Sequence, residues 1–175
     1  MDRIYELNWA YYPRTDRTPS VMNDVVFAFR NNFAEINSSA HQLVSDQVLS
    51  IISAHLIERN FRVETDKKNK IQIPVLFGEQ NMPIKSFQVD AWHEEERAIV
   101  EIEAGRALVN NQFLKDIFEA SVMIDVDYLA IAVRNIYTGG NRNSRDYEQI
   151  NKWLETIYSS NRIKLDLKGI LLIGY

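Results

Sequence analysis

One stretch organises the chain: Phe87-Gln88-Val89-Asp90-Ala91-Trp92-His93-Glu94-Glu95-Glu96-Arg97-Ala98-Ile99-Val100-Glu101-Ile102-Glu103-Ala104. Two apolar-alternating segments, Ser86–His93 and Ala98–Glu103, flank the polar run Glu94-Glu95-Glu96-Arg97 and predict a β-hairpin. With the tip centred on Glu95-Glu96, Asp90 falls opposite Glu101 and Gln88 opposite Glu103. Side chains alternate faces along a strand, so Glu103 shares the face of Glu101, while Val89, Ala91, Val100 and Ile102 form an apolar face. Facing like charges destabilise a strand pair. A divalent cation removes the conflict, and Mg2+ takes one or two carboxylates, a carbonyl and waters. The alternative is a solvated sheet face whose acids point into water.

Outward from the hairpin, the periodicity separates helices from strands. Upstream, Thr18-Pro19 predicts a helix start, with Thr18 as cap and Pro19 at the first helical position. Val21, Val25, Phe29, Phe33 and Ile36 then form one helical stripe, ended by Asn37-Ser38-Ser39. A second helix buries Leu43, Val44, Val48, Ile51, Ile52, His55 and Leu56. Two long helices are thus expected before any sheet. Phe61, Val63, Ile71, Ile73 and Val75 alternate as strands, with Lys67-Lys68-Asn69 as a turn between them. Downstream, Val109, Phe113, Ile117, Ala120 and Ile124 mark a helix, Tyr128–Val133 a buried strand, and Asn135–Arg145 a loop. Tyr147, Ile150, Leu154 and Ile157 give a last helix, and Ile163–Tyr175 returns to strand. The order α-α-β-β-β-β-α-β-α-β predicts an α/β domain, a mixed β-sheet flanked by helices.

Composition bounds the rest. The 175 residues, 46% hydrophobic and 25% charged, suit one domain over 1–175 with a substantial core. No cysteine means no disulfide and no thiolate zinc site. The longest apolar runs, Tyr128–Val133 and Ile170–Ile173, are too short to span a bilayer. The opening Met-Asp-Arg-Ile-Tyr-Glu lacks a secretory pattern, so a cytoplasmic location with no membrane partner is expected. A net charge of −4 weighs modestly against nucleic-acid binding, although local patches override net charge. The chain holds no Gly-x-x-x-x-Gly-Lys, no Gly-x-Gly-x-x-Gly and no Gly-x-Ser-x-Gly. Nucleotide loops, dinucleotide folds and serine hydrolases are unsupported.

Phe87-Gln88-Val89-Asp90, ten intervening residues, and then Val100-Glu101-Ile102-Glu103-Ala104 resemble the signature of the PD-(D/E)XK, restriction-endonuclease-like nucleases. The order of helix, strand, hairpin, helix and strand over Gln42 to Val133 resembles that family too. Val89 stands where the family often has proline. Glu103 stands at the lysine position, an acid-x-acid form similar to the BamHI- and BglII-type branch. The resemblance implies a restriction-endonuclease-like fold in which Asp90, Glu101 and the Ile102 carbonyl hold Mg2+. Glu103 would hold or deprotonate the attacking water, and a DNA phosphodiester would be hydrolysed in line. A lysine displaced to the next helix is the alternative at the Glu103 position. Lys115 is the candidate, one turn from Asn111 and on the same helix face.

Other candidates are more diffuse. Arg106 follows the acids and suits a phosphate contact. Asn110, Asn111 and Gln112 read as helix entry, with pairing to adenine as the functional alternative. Arg14 and Arg17, Lys67–Lys70, and Arg142 with Arg145 are basic clusters that read as solvated loops or backbone grips. His41, His55 and His93 lack metal or triad spacing, and His93 reads as a surface residue. Trp9, Tyr11 and Tyr12 read as packing. The expected activity is that of a Mg2+-dependent endonuclease on double-stranded DNA. A type II restriction enzyme of a restriction-modification system, working as a homodimer, fits best. The rivals are a non-catalytic module that binds nucleic acid or protein through the same fold, and a nuclease of repair or phage defence without strict specificity.

Overall fold

Two apolar runs anchor the structure. Tyr128–Val133 and Gly169–Gly174 are almost wholly buried, the composition of strands covered on both faces. The computed structural model describes residues 5–64, 70–139 and 142–175. In chain order its strands are β1 (Asn8–Tyr12), β2 (Arg62–Val63), β3 (Ile71–Phe77), β4 (Pro83–Val89), β5 (Ala91–His93), β6 (Ala98–Glu103), β7 (Tyr128–Val133), β8 (Tyr137–Gly139), β9 (Arg142–Ser144) and β10 (Gly169–Gly174). Its helices are α1 (Ser20–Asn31), α2 (Phe33–Ile36), α3 (Ser45–Ile57), α4 (Gln112–Val122) and α5 (Asp146–Ser160). A six-stranded sheet runs β1-β10-β7-β6-β5-β2, and β3-β4 and β8-β9 form separate two-stranded ribbons. β6, β7 and β10 are mutually parallel, and the outer strands join antiparallel.

Helices cover both faces of this mixed sheet. On one, Val25 and Phe29 of α1 and Val48, Ile52 and Leu56 of α3 pack with Val100, Ile102, Ala130 and Leu171. On the other, Phe113, Ile117 and Ala120 of α4 and Ile150 and Leu154 of α5 pack with Ile99, Leu129, Ile131 and Leu172. β6 therefore alternates between two cores: Val100 and Ile102 point toward α1 and α3, whereas Ile99 points toward α4 and α5. By the same alternation Glu101 and Glu103 lie on the α4 side.

The α/β class and mixed sheet match the expectation, and β6 and β7 have the expected bounds. Several elements differ. A strand, β1, precedes the helices and closes the sheet against β10, from Asn8↔Gly174 to Tyr12↔Ile170. Helix α1 begins at Ser20 with Pro19 at the cap position and no side-chain cap from Thr18. β2 pairs with β5 rather than β3, and the expected turn Lys67-Lys68-Asn69 lies outside the described residues. The segment Asn135–Arg145 contains the β8–β9 ribbon. The last strand starts at Gly169, with Ile163 exposed before it. His93 is buried (8% exposed), edge-on to Phe61, and its Nδ1 accepts the Glu96 N–H at 3.2 Å. Its ring fills the space beneath the hairpin tip instead of facing solvent.

Candidate functional site

The hairpin register is the one the sequence predicts: Ala91↔Val100, Trp92↔Ile99 and His93↔Ala98. The strand expected over Ser86–His93 is broken at Asp90. Before the break, β4 leaves the main sheet and pairs with β3, so that Gln88 lies opposite Gln72 and not Glu103. The break also sends Val89 into the core under α4 while Ala91 enters the core under α1 and α3, so the two do not share a face. Asp90 holds the junction from both ends. Its carbonyl accepts the Glu64 N–H at 2.8 Å, and its Oδ2 accepts the Ile102 N–H at 2.8 Å. The carboxylate thus substitutes for the strand partner that β6 loses beyond Val100. In an extended strand one residue's N–H and C=O point to the same edge. The Ile102 carbonyl therefore opens on the side of Asp90.

Beyond this edge lies a cleft of about 250 Å³. β6 lines it with Glu101 and Glu103, the β4–β5 junction with Gln88, Val89 and Asp90, and α4 with Gln112, Lys115, Asp116 and Glu119. Asp46 of α3, Glu64 and Lys70 complete it. The Ser45 hydroxyl accepts the Ala104 N–H at 3.2 Å, which ties α3 to the end of β6. Seven carboxylates and two lysines line the cleft.

Their burial shows in their acidities. Desolvation pushes the Asp90 carboxyl up to about 6; the Ile102 N–H opposes this and Glu64 and Asp46 add to it. Glu101, half-buried, is held well above the ordinary carboxylate range by desolvation and then by Asp90, Asp116, Glu103 and Glu119. Glu103 is pushed to about 7 by desolvation and by Asp116 and Asp90, against Lys115 and Arg106. Asp116 also reaches about 7, mainly through desolvation, with Lys115 pulling the other way. A sheet face open to water would leave these groups near their ordinary values, so the solvated-face alternative does not describe this site.

The remaining candidates divide. Lys115 reaches the cleft but pairs with Glu119 at 3.0 Å. Partial desolvation would lower its pKa, and Glu119, Asp116 and Glu101 reverse that. Asn111 does not share a helical face with Lys115, because it sits in the left-handed region (φ 54°) before α4 begins. Arg106 is exposed outside the cleft and acts on Glu103 through space. The side chains of Asn110 and Arg142, like Lys67 and Lys68, lie outside the described residues. Arg14 turns inward to Tyr12, Asn151 and Glu155, and Arg145 pairs with Glu148.

The BglII restriction endonuclease, complexed with a DNA 16-mer, is similar in fold at a TM-score of 0.59 and 14% identity, over 97% of this chain and 77% of BglII. The fold is that of a restriction endonuclease. Free BglII matches at a TM-score of 0.51 and 14% identity, over 97% and 78% of the two chains. No protein-family model and no curated protein sequence matches the chain. Within the described residues, no helix is long and apolar enough to cross a membrane.

The donor chemistry suits a hard divalent cation. The Glu101 carboxylate makes no hydrogen bond or ion pair among the described residues, and one oxygen of buried Asp116 has no partner. Among those residues no three carboxylate or imidazole groups converge on one point. A cation here would rest on two carboxylates, a main-chain carbonyl and waters, which is the ordinary Mg2+ shell. Sequence reading missed Asp116, Glu119, Asp46 and Glu64, and took Lys70 only as part of a basic cluster. The available signal was the polar stripe Gln112, Lys115, Asp116 and Glu119 on α4, at helical spacing beside its apolar stripe.

Proposed function

We propose that this chain is a Mg2+-dependent DNA endonuclease of the PD-(D/E)XK type, working as a homodimer in which each subunit cuts one strand. The observation that carries the reading is the Glu101 carboxylate, half-buried and without a hydrogen-bond or ion-pair partner among the described residues, beside Asp90 and Glu103 in a restriction-endonuclease fold. Asp90, Glu101 and the Ile102 carbonyl hold the cation. When bound, Mg2+ neutralises charge on the scissile phosphate and lowers the pKa of water. Glu103 orients the attacking water and accepts its proton, a task suited to a carboxyl held near 7. Arg106 and Lys115 draw the DNA backbone toward a cleft whose uncompensated acids would otherwise repel it. DNA as substrate is favoured by BglII, which was solved with a DNA 16-mer.

The test is cleavage of plasmid DNA with Mg2+ by the wild-type chain and by Glu101→Ala. Discrete bands that vanish in the variant are expected of a sequence-specific restriction enzyme. A smear abolished by the variant would indicate a nuclease without strict specificity. No cleavage of varied DNA with Mg2+ or Mn2+ would favour a non-catalytic binding module.

A further inference from the structure

We propose that the β3–β4 ribbon lies in a DNA groove and that Gln72 and Gln88 read base edges there. The proposal rests on the DNA-cutting reading above and names the element that selects the sequence. The ribbon stands apart from the six-stranded sheet. One of its faces is covered, because Ile71, Ile73 and Val89 point into the core beneath α4. Side chains alternate along each strand, so the opposite face carries Gln72 and Gln88, both exposed, and the half-buried Pro74 and Ser86. Gln72 and Gln88 are register partners, which projects two amide side chains together from the strand pair. Each amide offers a donor and an acceptor, the combination that adenine matches in the major groove. Gln88 accepts from Lys70 at 3.2 Å, and Gln72 has no hydrogen-bond partner among the described residues.

Charge and position favour DNA as the occupant of this face. Residues 70–77 and 83–89 contain Lys70 and Lys85 and no acid, in a chain of net charge −4 whose cleft holds seven carboxylates. Lys70 and Gln88 also line that cleft, so the amide face is continuous with it. β4 ends at Val89, which puts Gln88 two residues, about 7 Å, from Asp90 along the chain. That is about two base-pair steps. A two-stranded ribbon also has the width that a major groove admits. A protein strand is a poorer occupant, because Pro74 and Pro83 remove N–H donors from the ribbon.

The test is selection from a random-sequence duplex DNA library by the full chain, with Ca2+ replacing Mg2+ to neutralise the oxygen-lined cleft. Wild type is expected to enrich a motif with A·T pairs where the glutamines face the bases. Gln72→Ala and Gln88→Ala are each expected to lose about tenfold or more of the discrimination at one of those positions, the effect of one paired base contact. Both should keep wild-type affinity for a duplex lacking the motif within about threefold, because phosphate contacts supply it. An unchanged motif in either variant, or equal loss on motif and non-motif duplexes, would overturn the proposal. If wild type then still cuts DNA with Mg2+, the nuclease reading stands alone. A motif that both variants relax, without any cutting by wild type, would keep the ribbon and remove the nuclease reading. Enrichment of no motif by wild type would overturn the proposal, and absence of DNA binding altogether would overturn both and leave the ribbon face to a protein partner.

Discussion

At the scale of single residues, Asp90 and Glu101 do different work although both face the same cleft. Asp90 is part of the backbone architecture through its bond to the Ile102 N–H, and an amide oxygen can accept that bond as well. Glu101 supports nothing in the described structure and is held against desolvation and repulsion from Asp90, Asp116 and Glu103. Asp90→Asn and Glu101→Gln are therefore both expected to keep the fold and to lose DNA cleavage by more than about 100-fold, beyond the loss of an outer-shell partner. Their stabilities should diverge. Glu101→Gln removes a desolvated, repelling acid and should raise the melting temperature in EDTA at about pH 8 by a few degrees. Asp90→Asn exchanges a charged acceptor for a neutral one and should change it less. Thermal denaturation with paired cleavage assays reads both; a large destabilisation by Glu101→Gln would assign that residue a structural role.

At the scale of elements, the junction after β6 decides where the acids end and α4 begins. Gly105 turns the chain there with φ at +104°, and a Cβ at this position would stand 2.5 Å from the Tyr137 ring of β8. Gly105→Ala thus combines an unfavourable dihedral with overpacking, and should cost about 2 kcal/mol or more in denaturant unfolding. The same junction shows why parts of the fold were legible in the sequence. The β5–β6 register follows from a short hairpin and its alternation, both local, so Asp90 and Glu101 were found together. The break at Asp90 was not legible, because it depends on β3 capturing β4 and on Glu64 bonding the Asp90 carbonyl. β1 was read as aromatic packing for a similar reason: its strand character comes from β10, at the far end of the chain. Asp116 was hidden in another way. On a helical wheel it is one polar residue beside an apolar stripe, and only the tertiary structure buries it. The spacing of 87–104 located the ends of the site, and the helix opposite them required the fold.

At the scale of the whole molecule, a strand buried on both faces ends in two acids. β6 begins with Ala98, Ile99 and Val100 inside the two cores and finishes with Glu101 and Glu103 under α4. The acids are thereby desolvated enough for their charges to interact, and the apo protein carries the cost. The sign of that cost is fixed by the direction of the shifts. Asp90 and Asp116 rise from 3.8 to about 6 and about 7, and Glu103 rises from 4.5 to about 7. Between those limits the folded chain binds more protons than the unfolded chain, so stability falls as pH rises. These groups leave stability undiminished below about pH 4 and penalise it fully once pH has passed through about 7. Without divalent cation, the melting temperature at about pH 5.5 should exceed that at about pH 8 by about 5 °C. Excess Mg2+ should reverse the order of benefit, because it competes with protons for the same oxygens: the increment in melting temperature should be larger at about pH 8 than at about pH 5.5. In Glu101→Gln both the pH dependence and the Mg2+ increment should shrink together, since the two arise from one set of carboxylates. Scanning calorimetry at the two pH values, with EDTA and with Mg2+, reads all of these quantities. A Mg2+ increment that is independent of pH would show that the ion binds somewhere other than this cleft.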